Sequence, residues 1–255
     1  MRASIANTLR IPIAVAAVVI WILITVWGVW TPHDPTSLTA GISGGIAWQI
    51  VGAGAFLLVV VLALGWRDIG FNAPRPWSSL RVLAFPAIYI ALFVAAAALV
   101  GLPAPSVVFF LAINTLAVGF SEEIAFRGVL FRALHTRLRL WPAIWITSIV
   151  FGSVHVVNGF TTGDFLNASI QALAAFMSGT FFMALVLRTR SIVPSMLFHA
   201  LWDFLLTTIG AGGASSAAGG DRHWWLLLVP PLFILPNFIY GLWLLRKVKD
   251  TGPAQ

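Results

Sequence analysis

The chain has 255 residues, of which 60% are hydrophobic and only 9% charged, and its mean hydropathy is +0.96. That excludes an ordinary soluble domain, where about 45–50% of residues are apolar and about 25% charged. The net charge of +7 is dispersed among short connecting segments and carries no nucleic-acid signal, and the lack of cysteine excludes disulfides, thiolate metal sites and cysteine nucleophiles.

Apolar runs of about 20 residues recur along the chain, each long enough to span a bilayer as a helix. They cover roughly Ile11–Trp30, Gly44–Leu64, Leu80–Gly101, Val107–Leu130, Trp141–Val157, Leu166–Leu187, Ile192–Ile209 and Trp224–Leu245. The expected fold class is all-α: a polytopic membrane protein, a bundle of about eight transmembrane helices forming one integral membrane domain over residues 1–255. The first run follows basic residues, as a signal peptide would. It is too long for one and no small-residue cleavage site follows, so it reads as a retained helix.

Breakers separate the runs. Thr31-Pro32-His33-Asp34-Pro35 closes the first, Asn72-Ala73-Pro74-Arg75-Pro76 follows the second, and Leu102-Pro103-Ala104-Pro105 precedes the fourth. Gly210 to Gly220 is rich in Gly, Ala and Ser and reads as a mobile loop. Arg2 and Arg10 precede the first helix. Arg67, Arg75 and Arg81 lie between the second and third, Arg132, Arg137 and Arg139 between the fourth and fifth, and Arg188 and Arg190 between the sixth and seventh. Arg246, Lys247 and Lys249 follow the last. With alternating helices all of these fall on one side, against Arg222 alone on the other, which points to the cell membrane with both termini cytoplasmic. Trp30, Trp66, Trp141, Trp224 and Trp225 read as interfacial anchors.

The fourth helix does not stop at Leu130. Val129 to Leu138 holds good helix formers with no Pro or Gly. A helix from about Val107 to Leu138 is about 45 Å long at 1.5 Å per residue, with Glu122 near its middle. His155 comes out at comparable depth on the fifth helix, and His199 and Asp203 on the seventh somewhat nearer the cytoplasmic face.

These residues form three polar islands: Ser121-Glu122-Glu123-Ile124-Ala125-Phe126-Arg127-Gly128, Phe151-Gly152-Ser153-Val154-His155, and His199-Ala200-Leu201-Trp202-Asp203. Ionisable groups at membrane depth are rare because they are expensive, and they mark pathways or chemistry. Glu122 and Glu123 lie about 100° apart on a helix. Glu123 and Arg127, at i and i+4, form an ion pair that fixes the helix rotation, or Arg127 clamps both glutamates. Glu122 is left as the reactive carboxylate, a general base that later donates its proton. His199 and Asp203 are also at i and i+4, so the Asp can orient the His and set its tautomer. Small residues Gly152 and Ser153 before His155 permit close helix packing or leave room for a substrate.

Each feature alone has a plain structural reading: a Glu–Arg pair can be purely structural, and a membrane His is often bonded to a backbone carbonyl. The order Glu-Glu, His, His-Asp on three helices favours chemistry. His33, His135 and His223, and Asp34, Asp68, Asp164, Asp221 and Asp250, read as solvated or loop residues. No nucleophile elbow and no HExxH zinc motif is present.

At these residues the sequence resembles the type II CAAX prenyl endopeptidases, a family of intramembrane proteases grouped with bacteriocin-processing and self-immunity proteins. Its motifs EExxxR, FxxxH and HxxxN read here as Glu122-Glu123 to Arg127, Phe151 to His155, and His199 to Asp203. The likeness covers about residues 111–206. It implies that Glu122 and His155 activate a water, that His199 and residue 203 stabilise the oxyanion, and that Glu123 and Arg127 support the site. The departure is Asp203, because an ionised carboxylate cannot donate to an oxyanion. Asp203 is then protonated, or orients His199, or binds a metal. Zn²⁺, held by Glu122, His155 and His199 with one open position, stays possible, although the reading here requires no metal.

The expected function is an intramembrane endopeptidase, of glutamate or metallo mechanism, cleaving a membrane-associated or lipidated peptide or protein. Its substrate-binding residues are not legible. The alternatives are a catalytically inactive immunity or assembly partner of the same fold, and a proton-coupled transporter. Against the transporter, no pair of Gly/Pro-broken helices lies in symmetric halves.

Overall fold

A computed structural model of the protein describes residues 9–27, 38–213 and 228–249. Several expectations lie outside these residues: the Thr31-to-Pro35 break, His33, Asp34, Arg2, Trp30, the loop beyond Gly213, Asp221, Arg222, His223, Trp224, Trp225 and Asp250. The described residues are helical, with no strand among them. The helices are α1 (Arg10–Trp27), α2 (Leu38–Ser43), α3 (Trp48–Ala63), α4 (Ala84–Val100), α5 (Pro105–Glu123), α6 (Phe131–His135), α7 (Leu140–Val154), α8 (Asn158–Thr162), α9 (Phe165–Thr189), α10 (Val193–Gly213) and α11 (Val229–Leu245).

Five helical stretches are long and apolar enough to cross a membrane: Arg10–Trp27, Trp77–Val100, Pro105–His135, Leu140–Thr162 and Phe165–Thr189. α3 and α11 are shorter apolar helices. Large apolar side chains point outward as well as inward. Val15, Val19 and Leu23 form an exposed stripe on α1, and Ile88, Leu92 and Leu99 one on α4. A helix apolar all round suits a hydrocarbon environment. The protein is a helical membrane bundle.

Each expected run contains a helix, but the local geometry departs from the expectation in several places. The run Gly44–Leu64 is helical from Trp48 to Ala63, and a break over residues 44–47 separates α3 from the short helix α2, which ends at Ser43. Buried Asn114 on α5 compensates that break. Its amide nitrogen donates to the carbonyls of Ile42 and Gly45 (both 2.7 Å), and its oxygen accepts from the Ala47 N–H (2.8 Å). Non-helical backbone inside a membrane protein persists where protein groups satisfy it in this way. The third run opens with a 3₁₀ turn over Trp77–Leu83.

The fourth helix continues to His135 as expected, but Ile124–Leu130 winds as a π-helix, with the Phe131 N–H donating to the Phe126 carbonyl five residues back. The seventh helix runs on to Gly213, so Gly210–Gly213 is helix rather than loop. The fifth ends as α-helix at Val154, and a 3₁₀ turn follows over His155–Val157.

Asp68 and Asp164 are exposed loop residues, as expected, and both, like the half-buried His135, also have partners. Asp164 caps α9 by accepting from the Asn167 N–H at 2.9 Å. Asp68 pairs with Arg10 at 2.6 Å. His135 stacks on Phe131, and its Nδ1 meets the Leu138 carbonyl at 3.2 Å. Trp66, read as an interfacial anchor, is buried beneath the Arg10 guanidinium.

The segments on either side of Arg75 and of Arg190 lie together at one end of the bundle. The Gly70 carbonyl accepts from the Ile192 N–H, the Thr189 carbonyl from the Arg75 N–H, and Asn72 donates to the Arg190 carbonyl. Arg10 joins the same end through Asp68. The segment around Gly45 and Asn114 forms the opposite end.

α9 is the central helix, packing against both α7 and α11. Its contact with α7 depends on Gly152, where an added Cβ would sit 2.7 Å from the Ala172 carbonyl oxygen and 2.8 Å from Phe176 Cβ. Gly152→Leu is expected to destabilise the bundle by about 1–3 kcal/mol through overpacking. Thermal unfolding in detergent measures this. Leu99→Ala on the outer surface, where the side chain is 88% exposed, should stay within about 0.5 kcal/mol.

Candidate active site

Three elements converge. α5 and its π continuation supply Glu122, Glu123 and Arg127, the end of α7 supplies Phe151 and His155, and α10 supplies Ser195, His199 and Asp203. α5 and α10 approach closely because position 119 is glycine: a Cβ there would lie 2.8 Å from the Met196 carbonyl oxygen and 3.0 Å from the Ala200 nitrogen.

Glu123 and Arg127 are both fully buried and form the expected i,i+4 ion pair, Nη1 to Oε1 at 2.7 Å. Arg127 Nη2 donates to the Gly179 carbonyl of α9 at 3.0 Å. The guanidinium lies over the ring of Phe151 (4.2 Å) and near that of Phe182 (5.3 Å), a desolvated cation–π setting. Glu123 Oε2 accepts from Ser195 Oγ at 2.6 Å, and Oε1 also faces His199 Nδ1 at 3.2 Å. Glu123 thus has three donors from two helices. Among the described residues Arg127 bonds Glu123 but not Glu122, so the clamp on both glutamates is not formed.

Glu122 points differently. Its side chain keeps 16% exposure, and Oε2 has no hydrogen-bond partner in the protein. That oxygen lies 3.8 Å from His199 Nε2, which is also 3.3 Å from Asp203 Oδ2. His155, His199 and Asp203 all lie within electrostatic reach of the Glu122 carboxylate. No hydrogen bond joins His155 to Glu122.

The histidine tautomers follow from their partners. His155 Nδ1 sits 2.9 Å from the Phe151 carbonyl, which can only accept, so Nδ1 carries the proton and a neutral ring has its lone pair on Nε2. His199 Nδ1 likewise faces Glu123, and its ring stacks on Phe182 at 4.6 Å. Nε2 is therefore the nitrogen that His199 turns toward Glu122 and Asp203. The hydrogen bond to Glu123 sets His199 level with the first motif, not nearer one face as the helix count implied.

Among the described residues no group of three or more His, Asp or Glu is placed to hold a metal ion. The two nitrogens of His199 are directed at carboxylates. The zinc reading finds no support in these donors.

Ser195 and Phe182 were not anticipated. Ser195 was legible as a spacing, since Ser195, His199 and Asp203 recur at i, i+4 and i+8 on one helix face. Phe182 and the Gly179 carbonyl had no local signal. Two apolar grooves flank the exposed Leu197. One of about 710 Å³ lies against Trp77, Leu80 and Phe198, and one of about 510 Å³ against Ile50, Leu58 and Phe120. Neither is lined by Glu122, His155, His199 or Asp203.

Fold and site together define a helical membrane protein with carboxylate and histidine chemistry inside its bundle. The family model described as Type II CAAX prenyl endopeptidase Rce1-like matches residues 104–205, a stretch that includes Glu122, Glu123, Arg127, His155, His199 and Asp203. The family recognised in the three motifs is thus the one the match identifies, and it is a protease family. No curated protein and no solved structure matches the chain.

Removing one partner of a buried ion pair strands the other charge and costs about 3–5 kcal/mol. Arg127→Leu is therefore expected to destabilise the protein by that order. Ser195→Ala, which removes one hydrogen bond to a charged group, should cost about 1.5–3 kcal/mol. Denaturant or thermal unfolding in detergent distinguishes the two.

Proposed function

We propose that the protein is an intramembrane endopeptidase that hydrolyses a peptide bond in a membrane-associated or lipidated peptide. The observation that carries this is the contrast between the two glutamates. Glu123 is bonded on both oxygens, while Glu122 keeps an unbonded oxygen turned toward His199. The second support is that these residues fall within the stretch matching a protease family.

In this reading Glu122 takes a proton from a water whose oxygen attacks the scissile carbonyl carbon. His155 assists through Nε2, because Nδ1 is committed to Phe151. The π bond of the carbonyl becomes an oxyanion, stabilised by His199. As the tetrahedral centre collapses, the C–N bond breaks, and Glu122 returns the proton to the leaving nitrogen. Burial of the site strengthens each of these interactions. Asp203 holds His199 through Nε2 in the resting site, that N–H turns to the oxyanion as it forms, and Asp203 does not itself donate to it. The apolar part of a lipidated substrate finds an apolar bed in the grooves beside Leu197. We assign the protein to the cell membrane, with the arginine-rich end cytoplasmic.

General acid–base groups contribute about 10²–10⁴-fold. Glu122→Gln and His155→Ala should lower cleavage by at least that lower bound while the unfolding midpoint is retained. The test is quantitative proteomics of membrane peptide termini in cells expressing wild type or Glu122→Gln. Termini found only with the wild type identify a protease and its substrate. Equal termini with both proteins well expressed sink the reading in favour of a non-enzymatic partner. Asp203→Asn should keep most activity, since an amide oxygen still accepts from His199.

A further inference from the structure

At the arginine-rich end of the bundle, away from the site, two arginines meet with one carboxylate between them. Arg10 is the first residue of α1, and its side chain is only 9% exposed. It donates through Nη2 to Asp68 Oδ1 at 2.6 Å, and its guanidinium lies 5.0 Å from the Trp66 ring centre. Arg132 projects from α6, the last turn of the helix that carries Glu122. Among the described residues it makes no hydrogen bond or ion pair with the protein, and only the Phe131 ring lies beneath it, 5.7 Å from Cζ. Arg132 Nη2 approaches the same segment that carries Asp68, lying 3.7 Å from where a Cβ on Gly70 would sit. The Nε–H groups of Arg10 and Arg132 are buried with no partner.

Asp68, its side chain 49% exposed, is engaged by Arg10 and stands two residues before the Gly70 backbone that Arg132 approaches, and exposed Arg67 next to it adds further positive charge. A long arginine at a membrane boundary is often simply hydrated at its tip. That account does not cover these two, because a buried N–H donor without a partner carries the full desolvation penalty of a charged group. The planar fork of arginine matches a phosphate bidentately. Basic pockets between transmembrane helices are a usual seat for phosphate headgroups.

We propose that Arg10 and Arg132, brought together by the segment Trp66–Gly70, form a binding site for a phosphate group. The phosphate is either the headgroup of an anionic phospholipid or a free phosphate. Asp68 orients Arg10 and leaves Arg132 as the cation that the ligand neutralises. The bound anion ties the start of α1 to the end of the catalytic helix. The proposal is independent of whether the protein cleaves peptides.

The test uses the full-length protein purified in detergent. In the first arm, native mass spectrometry counts phosphatidylglycerol retained from micelles containing equal phosphatidylglycerol and phosphatidylcholine. In the second, the unfolding midpoint is followed as inorganic phosphate is added. The wild type is expected to retain phosphatidylglycerol over phosphatidylcholine. Arg132→Gln should lower that retention about ten-fold, in line with the loss of a charge-assisted hydrogen bond, and exposed Arg137→Gln should not. If phosphatidylglycerol is not retained but phosphate raises the midpoint of the wild type and not of Arg132→Gln, the ligand is free phosphate and the site stands. If neither probe separates the wild type from Arg132→Gln, the proposal is overturned. Should Arg132→Gln fail to fold, Arg132→Lys carries the test, since it keeps the charge and loses the fork: a several-fold loss supports the site, and wild-type retention overturns it.

Discussion

The buried ion pair between Glu123 and Arg127 is the constraint on which the rest of the site depends. Two charges at membrane depth are tolerable only when the groups around them are engaged, and here all but the Arg127 Nε–H are. Here that requirement recruits a carbonyl from α9, a hydroxyl and an imidazole from α10, and the face of Phe151 from α7. Satisfying this ion pair thus ties four helices together. The same bonds fix the rotamer of His199, because its Nδ1 is held by Glu123 and its Nε2 turns to the other side. The ion pair, His199, Glu122 and Asp203 form one contiguous polar cluster.

Close helix approach is the second requirement. Hydrophobic burial contributes little to helix association in lipid, so packing and interhelical hydrogen bonds must bring these elements together. Gly119 lets α10 reach α5, and Gly152 lets α9 reach α7. The π segment directly after Glu123 widens the helix at this junction, a distortion found most often where function needs it. All seven of its residues are buried, so the irregular backbone is enclosed by protein rather than lipid.

Asp203 takes on a consistent meaning in this setting. A carboxylate would repel an oxyanion if it pointed at one, but here it faces the imidazole of His199. Glu122, Glu123 and Asp203 all face that ring, at 3.8, 3.2 and 3.3 Å from its nitrogens. The acid that stands here where the family motif has an amide is therefore paired with the histidine of its own motif.

Much of this was readable from the chain. Apolar runs separated by Pro and Gly determine a membrane bundle, since a backbone in hydrocarbon has no alternative to helix here. The i,i+4 spacings of Glu123 with Arg127 and of His199 with Asp203 determine both pairs, because neighbours on one helix turn meet whatever the tertiary fold. What crosses between helices was not readable. The bond of Glu123 to Ser195, the stacking of Phe182 on His199, the capping of a broken helix by Asn114, and the pairing of Arg10 with Asp68 join residues far apart in the chain. Local periodicity says which face a side chain occupies, but not which helix lies opposite, and only the packed bundle decides that.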